Sequence, residues 1–252
     1  MIKVNNLYKS FDGRTILSDI NTVFETGKVN LIIGKSGSGK TVLIKSLIGL
    51  HGVDSGEILY EDIDITKIGK KAMKALRQEI GIVFQGGALF DSQTVFQNVL
   101  FPLLVFSKTT MEEKIARVRL CLDRVELKGV DDLYPSEISG GMKKRVAIAR
   151  AIVMQPKFLF CDEPNSGLDP LTSLVIDNLI QEITSEYGMT TIVNTHDMNS
   201  VFEIGEKVIF INDGKNEWEG SKDDIMDSKC EALNNFLFSS DILKKLKHNA
   251  II

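Results

Sequence analysis

The stretch Gly34-Lys35-Ser36-Gly37-Ser38-Gly39-Lys40-Thr41 restricts what this chain can fold into more than any other feature. It fits G-x-x-x-x-G-K-[ST] and lies between an apolar run, Val29 to Ile33, and a segment, Thr41 to Leu50, with Leu43, Ile44, Leu47 and Ile48 at helical spacing. The run reads as a buried strand and the segment as a helix. Glycines let a backbone wrap closely around an anion and aim successive N–H groups inward, and the helix adds its positive N-terminus. In such a loop Lys40 reaches the β- and γ-phosphates of a nucleotide and the Thr41 hydroxyl ligates Mg²⁺. Val42, the next residue of the helix, is counted with the loop in the nucleotide site.

Further short apolar runs at Ile80–Phe84, Phe158–Cys161 and Thr190–Asn194 read as strands, with helical stretches at Leu171–Tyr187 and Asp197–Ile204. Alternation of this kind predicts an α/β fold: a P-loop NTPase core with a mostly parallel sheet and helices on its faces. The opening, Ile2 to Phe24, alternates more and carries a turn at Asp12-Gly13, so an antiparallel β portion is expected there. From about Phe90 to Met154 the alternation breaks. Met111–Val125 and Gly140–Met154 read as helices of an inserted α-helical subdomain. The expected organisation is one domain over 1–228, with a core of 1–89 and 155–228 and a helical subdomain of 90–154. A short tail follows at 229–252, where Leu233, Phe236, Leu237, Ile242, Leu243 and Leu246 fit one or two amphipathic helices.

Phe158-Leu159-Phe160-Cys161 runs into Asp162-Glu163. A buried parallel strand delivers such acids to its carboxyl end, where ligands of open α/β sheets bind. Adjacent side chains point in different directions, so two roles suggest themselves: Asp162 holds Mg²⁺ through water, and Glu163 orients and polarises the attacking water. An acidic pair after a strand is by itself usually a solvated turn, and the glycine loop upstream is what favours the chemical reading.

With these residues in place the chain resembles the ABC ATPase family over nearly its whole length. Ile138-Ser139-Gly140-Gly141-Met142 is similar to the family signature LSGGQ and stands ahead of a basic-then-apolar helix, Lys143 to Met154. The resemblance implies an ATP-dependent homodimer in which Ser139, Gly140 and Gly141 of one copy face the γ-phosphate held by the other. The competing reading of Ser139 is an ordinary helix N-cap. Met142 replaces the usual Gln and removes a polar side chain near that interface. By the same resemblance Gln85 is the glutamine that senses Mg²⁺ and the attacking water. Ser166-Gly167-Leu168-Asp169 is the loop that crosses the dimer, and His196 contacts the γ-phosphate. Phe11 stacks on adenine, with Tyr8 nearby as the other candidate. The implied cofactors are ATP and Mg²⁺, and the implied catalytic set is Glu163, His196, Lys40 and Gln85.

Gly86-Gly87-Ala88-Leu89-Phe90-Asp91, Val95-Phe96-Gln97-Asn98-Val99 and Pro102-Leu103, together with the SGGM signature, resemble the ATPases of Mla/Mce-type bacterial phospholipid transporters. That resemblance implies integral membrane permease subunits, an Mce-type lipid-binding partner, and a place on the cytoplasmic face of the bacterial inner membrane. Importers of other small solutes share most of the same motifs. Ala88 to Phe106 is rich in Leu, Phe and Val, which fits either a groove for a permease helix or packing of the helical lobe.

Composition excludes some alternatives. A net charge of −4 argues against a dedicated nucleic-acid binder. No long coiled coil or zinc module separates Gln85 from Ser139, as soluble ABC ATPases of DNA maintenance usually have. Cys121, Cys161 and Cys230 form no CxxC pair, so a reducing compartment fits best. The start lacks a signal-peptide pattern. Val99 to Phe106, the longest strongly apolar stretch, is too short to cross a bilayer as a helix.

Overall fold

The computed structural model of the chain describes residues 1–237. In chain order the first elements are β1 (Ile2–Phe11), β2 (Arg14–Phe24), β3 (Val29–Ile33), α1 (Lys40–Leu47), β4 (Ser55–Tyr60), β5 (Ile63–Asp64), α2 (Lys70–Gln78) and β6 (Ile80–Val83). Then come α3 (Val95–Phe106), α4 (Met111–Arg124), a 3₁₀ turn at Pro135–Glu137, α5 (Gly140–Ile152), β7 (Phe158–Asp162) and α6 (Pro170–Tyr187). The last are β8 (Thr190–Asn194), α7 (Met198–Ile204), β9 (Lys207–Asn212), β10 (Lys215–Gly220) and α8 (Glu231–Leu237).

These elements form two compact units. Among the described residues the first comprises Met1–Glu25, Val29–Ile68 and 194–237. Its antiparallel sheet has the order β2-β1-β4-β5. The expected hairpin is there, paired Ile2↔Phe24 and Phe11↔Arg14, with register shifts between Val4 and Leu7. Asn6 and Asp19 take positive φ of 46° and 53° at that irregularity. Their side chains bond to each other at 3.0 Å, so local polar contacts hold the bulge. Alternating residues Ile2, Val4, Leu7, Leu17 and Ile20 are fully buried, as one apolar sheet face requires. The unit's second set of strands runs β10-β9-β3, with β3 parallel to β9 and β10 antiparallel to it. All five residues of β3 are buried. Four are apolar, and Asn30 is accommodated because its amide accepts from the Glu25 N–H at 2.8 Å and donates to the Glu25 carbonyl at 3.0 Å. Tyr60 is buried and donates its hydroxyl to the Leu47 carbonyl at 2.8 Å, fixing the end of α1 against β4. In α8, Leu233 and Leu237 are buried and Phe236 meets the Phe210 ring at 5.4 Å. Ile242, Leu243 and Leu246 lie outside the described residues.

The second unit comprises Thr26–Lys28 and Gly69–Val193. Its strands run β8-β7-β6, with Ile80–Val83 paired in parallel to Phe158–Cys161. Helices start where side chains supply capping acceptors. Thr94 with Gln97 and Thr110 with Glu113 form reciprocal capping boxes at α3 and α4. Arg124 joins α4 to α6 through Glu186 at 2.6 Å and Glu182 at 3.2 Å. Among the described residues no helix is long and apolar enough to cross a membrane.

Candidate nucleotide site

The structure gathers the residues expected at the site into two sets, one in each unit. In the first unit β3 ends at Ile33 and the chain turns sharply through Gly34, whose φ is 148°. A Cβ there would lie 2.1 Å from the Ile211 carbonyl oxygen on β9 and 2.9 Å from Ser38 Oγ. At Gly39, φ 107°, a Cβ would lie 2.8 Å from Leu17 Cδ2 on β2. The loop is therefore pressed between two strands, and only hydrogen side chains fit at its ends. Lys40 is 7% exposed, and its Nζ donates to the carbonyls of Gly34 at 2.7 Å and Lys35 at 3.0 Å. That holds the ammonium over the loop. Ser38 Oγ is buried without a hydrogen-bond partner, an arrangement that normally costs about 1–3 kcal/mol and suits a site awaiting a polar ligand. Lys35, Ser36, Gly37 and Thr41 are exposed and Val42 is half-buried. The first turn of α1 carries no acidic residue, so nothing there opposes an anion.

The same unit holds His196 and Phe11. Thr195 donates its N–H to the Ile32 carbonyl at 3.2 Å, which sets the exposed His196 just beyond the end of β3. Phe11 is 39% exposed. Its edge meets His51 at 5.2 Å, and Lys9 Nζ lies 4.9 Å from its ring centroid. Asp54 fixes Lys9 at 3.1 Å and also accepts from the Ser10 N–H at 2.6 Å. The Lys9 contact pulls the Asp54 pKa below the usual carboxylate range.

In the second unit β7 is buried through Cys161 and delivers Asp162 and Glu163, both half-buried. Glu163 has φ 51°, a left-handed backbone that non-glycine residues adopt mainly under strong local constraint. The Glu163 carbonyl accepts from the Ser166 N–H at 3.1 Å, and buried Asn165 donates to Asp177 at 2.8 Å, bracing the turn that follows. Gln85 donates from its amide nitrogen to Ser166 Oγ at 3.3 Å.

Ser139 caps α5, its Oγ accepting from the Met142 N–H at 3.2 Å. A hydroxyl in that role still has its own proton to donate. A Cβ on Gly141 would lie 2.7 Å from Thr172 Cγ2, and one on Gly140 would lie 3.6 Å from Leu168 Cδ2. The glycines thus let α5 begin directly against the start of α6. Asp169 caps α6 through the Thr172 N–H at 3.0 Å, and the bonds to Thr172 lower its pKa. A cavity of about 380 Å³ opens beside this turn, lined by Ser139, Gly141, Met142, Arg145, Lys128 and Thr172. Sequence reasoning passed over Lys144 and Arg150 of α5, which reach back to the Gln85–Ala88 loop. The basic run Lys143-Lys144-Arg145 was the available signal.

A glycine cradle between strand and helix, with a buried lysine over it, and an apolar strand ending in two acids define a phosphate-loop nucleotide hydrolase. The sequence pattern of the ABC transporter family matches residues 17–166, and the chain belongs to that family as its ATP-hydrolysing subunit. It is 35% identical over 259 residues to the methionine import ATP-binding protein MetN of Campylobacter jejuni, covering 96% of this chain and 77% of that relative. It is 38% identical to MetN of Haemophilus influenzae, over 95% and 71% of the two chains. A probable ribonucleotide transport ATP-binding protein of Mycobacterium tuberculosis shares 39% over 198 residues, 79% of this chain and 55% of that one.

Among solved structures, a dimeric ATP-binding cassette in a post-hydrolysis state with ADP and Pi superposes with a TM-score of 0.80 at 31% identity. It covers 88% of this chain and 99% of that one. The cbiO1 component of the ABC transporter complex cbiONQ from Clostridium perfringens gives 0.85 at 33%, over 100% and 98%. The ABC ATPase fold expected from the sequence is the fold observed. None of the relatives named here is described as a lipid transporter.

Proposed function

We propose that this chain powers uptake of a small solute through a separate membrane permease, two copies closing on ATP at shared sites. The glycine cradle with Lys40 over it and the unpartnered Ser38 hydroxyl is the observation that carries the nucleotide chemistry. In this reading Gly34 to Thr41 and Val42 hold the phosphates, Phe11 stacks on adenine, and Lys40 and His196 stabilise charge on the γ-phosphoryl group. Glu163 orients the attacking water, and Asp169 belongs to the loop at the dimer seam. Ser139, Gly140 and Gly141 of the second copy complete the site: their helix start offers backbone N–H groups and a hydroxyl proton. The Thr41 hydroxyl, the Gln85 amide oxygen and the Asp162 carboxylate are hard oxygen donors of the kind Mg²⁺ takes, and they are the residues that would hold it. Mg²⁺ there would neutralise charge developing on the phosphate oxygens.

The permease reading is supported by an apolar groove of about 380 Å³ in the second unit, lined by Phe84, Ala88, Phe90, Phe101, Pro102 and Phe106. Beside it Leu104 and Val105 stay 50% and 53% exposed. A groove with such walls is the kind of surface that receives the apolar face of a helix. Methionine import in the relatives supports a small solute as cargo. The segment 86–103 and Met142 support phospholipid, with an Mce-type partner, as a second reading. Proteoliposomes carrying this chain with the permease that co-purifies with it separate the two. The expected result is ATP-driven movement of a labelled small solute such as methionine, lost in Glu163→Gln. Movement of labelled phospholipid without solute uptake would establish the second reading, and co-purification with DNA instead of a membrane protein would contradict both.

A further inference from the structure

Helix α5 carries a buried cation for which the nucleotide chemistry above has no use. Lys144 is 6% exposed, its Nζ donates to the Gln85 carbonyl, and the same Nζ lies 3.5 Å from the Glu163 carbonyl. Burial pushes its pKa below the ordinary lysine value, with Cys161 and Glu163 acting in the opposite direction. Removing an ammonium from water costs several kcal/mol unless polar partners compensate, and here the partners are carbonyls of two separate segments.

Both segments have backbones that need support. Glu163 is left-handed at φ 51°, and in the loop after Gln85 the non-glycine Ala88 has φ 48°. Such backbone persists only where the surroundings over-determine it. Arg150, also on α5, donates to the carbonyls of Gly87 at 2.6 Å and Ala88 at 2.8 Å, and its guanidinium lies 5.8 Å from the Phe90 centroid. One helix therefore grips the loop at three carbonyls, and Lys144 extends that grip to the acid at the end of β7. The loop is also the rim of the apolar groove.

We infer that Lys144 is a positioning residue that ties the Gln85 loop to the Glu163 backbone, so that whatever seats in the groove and displaces the loop also displaces the water-orienting acid. This rests on the reading of Glu163 given above. The ammonium acts by holding the Gln85 and Glu163 carbonyls in register. Its effect therefore falls on turnover and not on nucleotide affinity.

The test compares Lys144→Met and Lys144→Gln in the full-length chain, reading kcat, KM for ATP and the thermal midpoint. Lys144→Met lowers kcat about tenfold with KM within about twofold, equivalent to about 1.4 kcal/mol of barrier. Lys144→Gln keeps N–H groups able to donate to the same carbonyls and recovers at least about half of the parent kcat. A lysine with a merely structural role would shift the midpoint in both variants and leave the kcat of the folded protein unchanged. A smaller loss in Lys144→Met, or a glutamine variant as slow as the methionine one, overturns the inference. Hydrogen exchange on the unaltered chain gives a reading independent of how the variants fold. The Gly87 N–H, bonded to the Phe84 carbonyl at 2.8 Å, and the Ser166 N–H, bonded to Glu163 at 3.1 Å, should show protection within about tenfold of each other. A larger gap also overturns it. Glu163→Gln distinguishes a wrong role for the acid from a wrong role for the lysine. If that variant keeps its turnover, the reading of the acid fails. If it is inactive while Lys144→Met is not slowed, only the inference about Lys144 fails.

Discussion

Glu163→Gln lowers kcat for ATP hydrolysis by about 10²–10⁴, the range over which a positioned general base contributes. The amide is nearly isosteric with the carboxylate and keeps an acceptor oxygen, so shape and packing at the end of β7 persist. What it loses is the negative charge to which the proposed mechanism assigns the polarising of water. ATP affinity stays within about threefold, because the phosphate cradle, Lys40 over the loop and the Phe11 ring lie on the other unit of the chain. Single-turnover hydrolysis with labelled ATP, read beside equilibrium binding, checks both halves of the expectation. Turnover within about tenfold of the parent would remove Glu163 from the chemistry and leave Asp162 as the acid to examine.

Gly34→Ala has the largest expected effect on stability. The added methyl would stand 2.1 Å from the Ile211 carbonyl oxygen, which is backbone on a buried strand and has little room to yield. At φ 148° the alanine is also strained whatever space surrounds it. We expect a loss of at least about 3 kcal/mol, the scale of clashes that force backbone to move. That corresponds to a fall of roughly 6–12 °C in thermal midpoint for a chain of this size. Gly37→Ala is the matched control. Its φ is 79°, but nothing lies within 4 Å of the new methyl, so only the left-handed backbone cost of about 1–2 kcal/mol remains. Equal midpoints for the two variants would show that the close approach to β9 does not constrain the loop.

The parts of the fold that could be read from sequence are those where burial and local pattern agree. Strands β3, β7 and β8 are fully or nearly fully buried and are short apolar or β-branched runs, broken by the buried Asn30 in β3; Val29–Ile33 and Thr190–Asn194 have the expected bounds. Helix α4 shows its amphipathic period plainly. Helix α2 is amphipathic, with Met73 and Leu76 on one face among lysines and an arginine, but it is only nine residues long and none of them is fully buried, so its stripe amounts to two half-buried side chains. Helix α3 is apolar nearly all round and contains Pro102, which hides its period; the Thr94–Gln97 capping box was the signal to use. Strand β4 is only partly buried and short, and Val208–Ile211 in β9 is an apolar run too brief for period to separate strand from helix. The motifs singled out the glycine loop, the acidic pair and the Ser139 turn, and the structure has a strand-to-helix loop, a strand end and a capped helix start at those positions. The contact of Lys144 with Gln85 spans 59 positions and exists only through the packing of α5, so no local pattern could announce it. The positive φ of Glu163 was equally hidden, since nothing in a glutamate's identity predicts a left-handed backbone.

Hydrolysis at a seam between two copies is tested most directly by the solution mass of Glu163→Gln in ATP and Mg²⁺, measured by light scattering with and without a second substitution, Ser139→Arg. The chain has a mass of 28.0 kDa. A shared site predicts that nucleotide doubles the observed mass and that the arginine, placed at the cap of α5 in the facing copy, abolishes the doubling while ATP still binds. A single-chain mass in saturating nucleotide, or a dimer indifferent to the arginine, would contradict it.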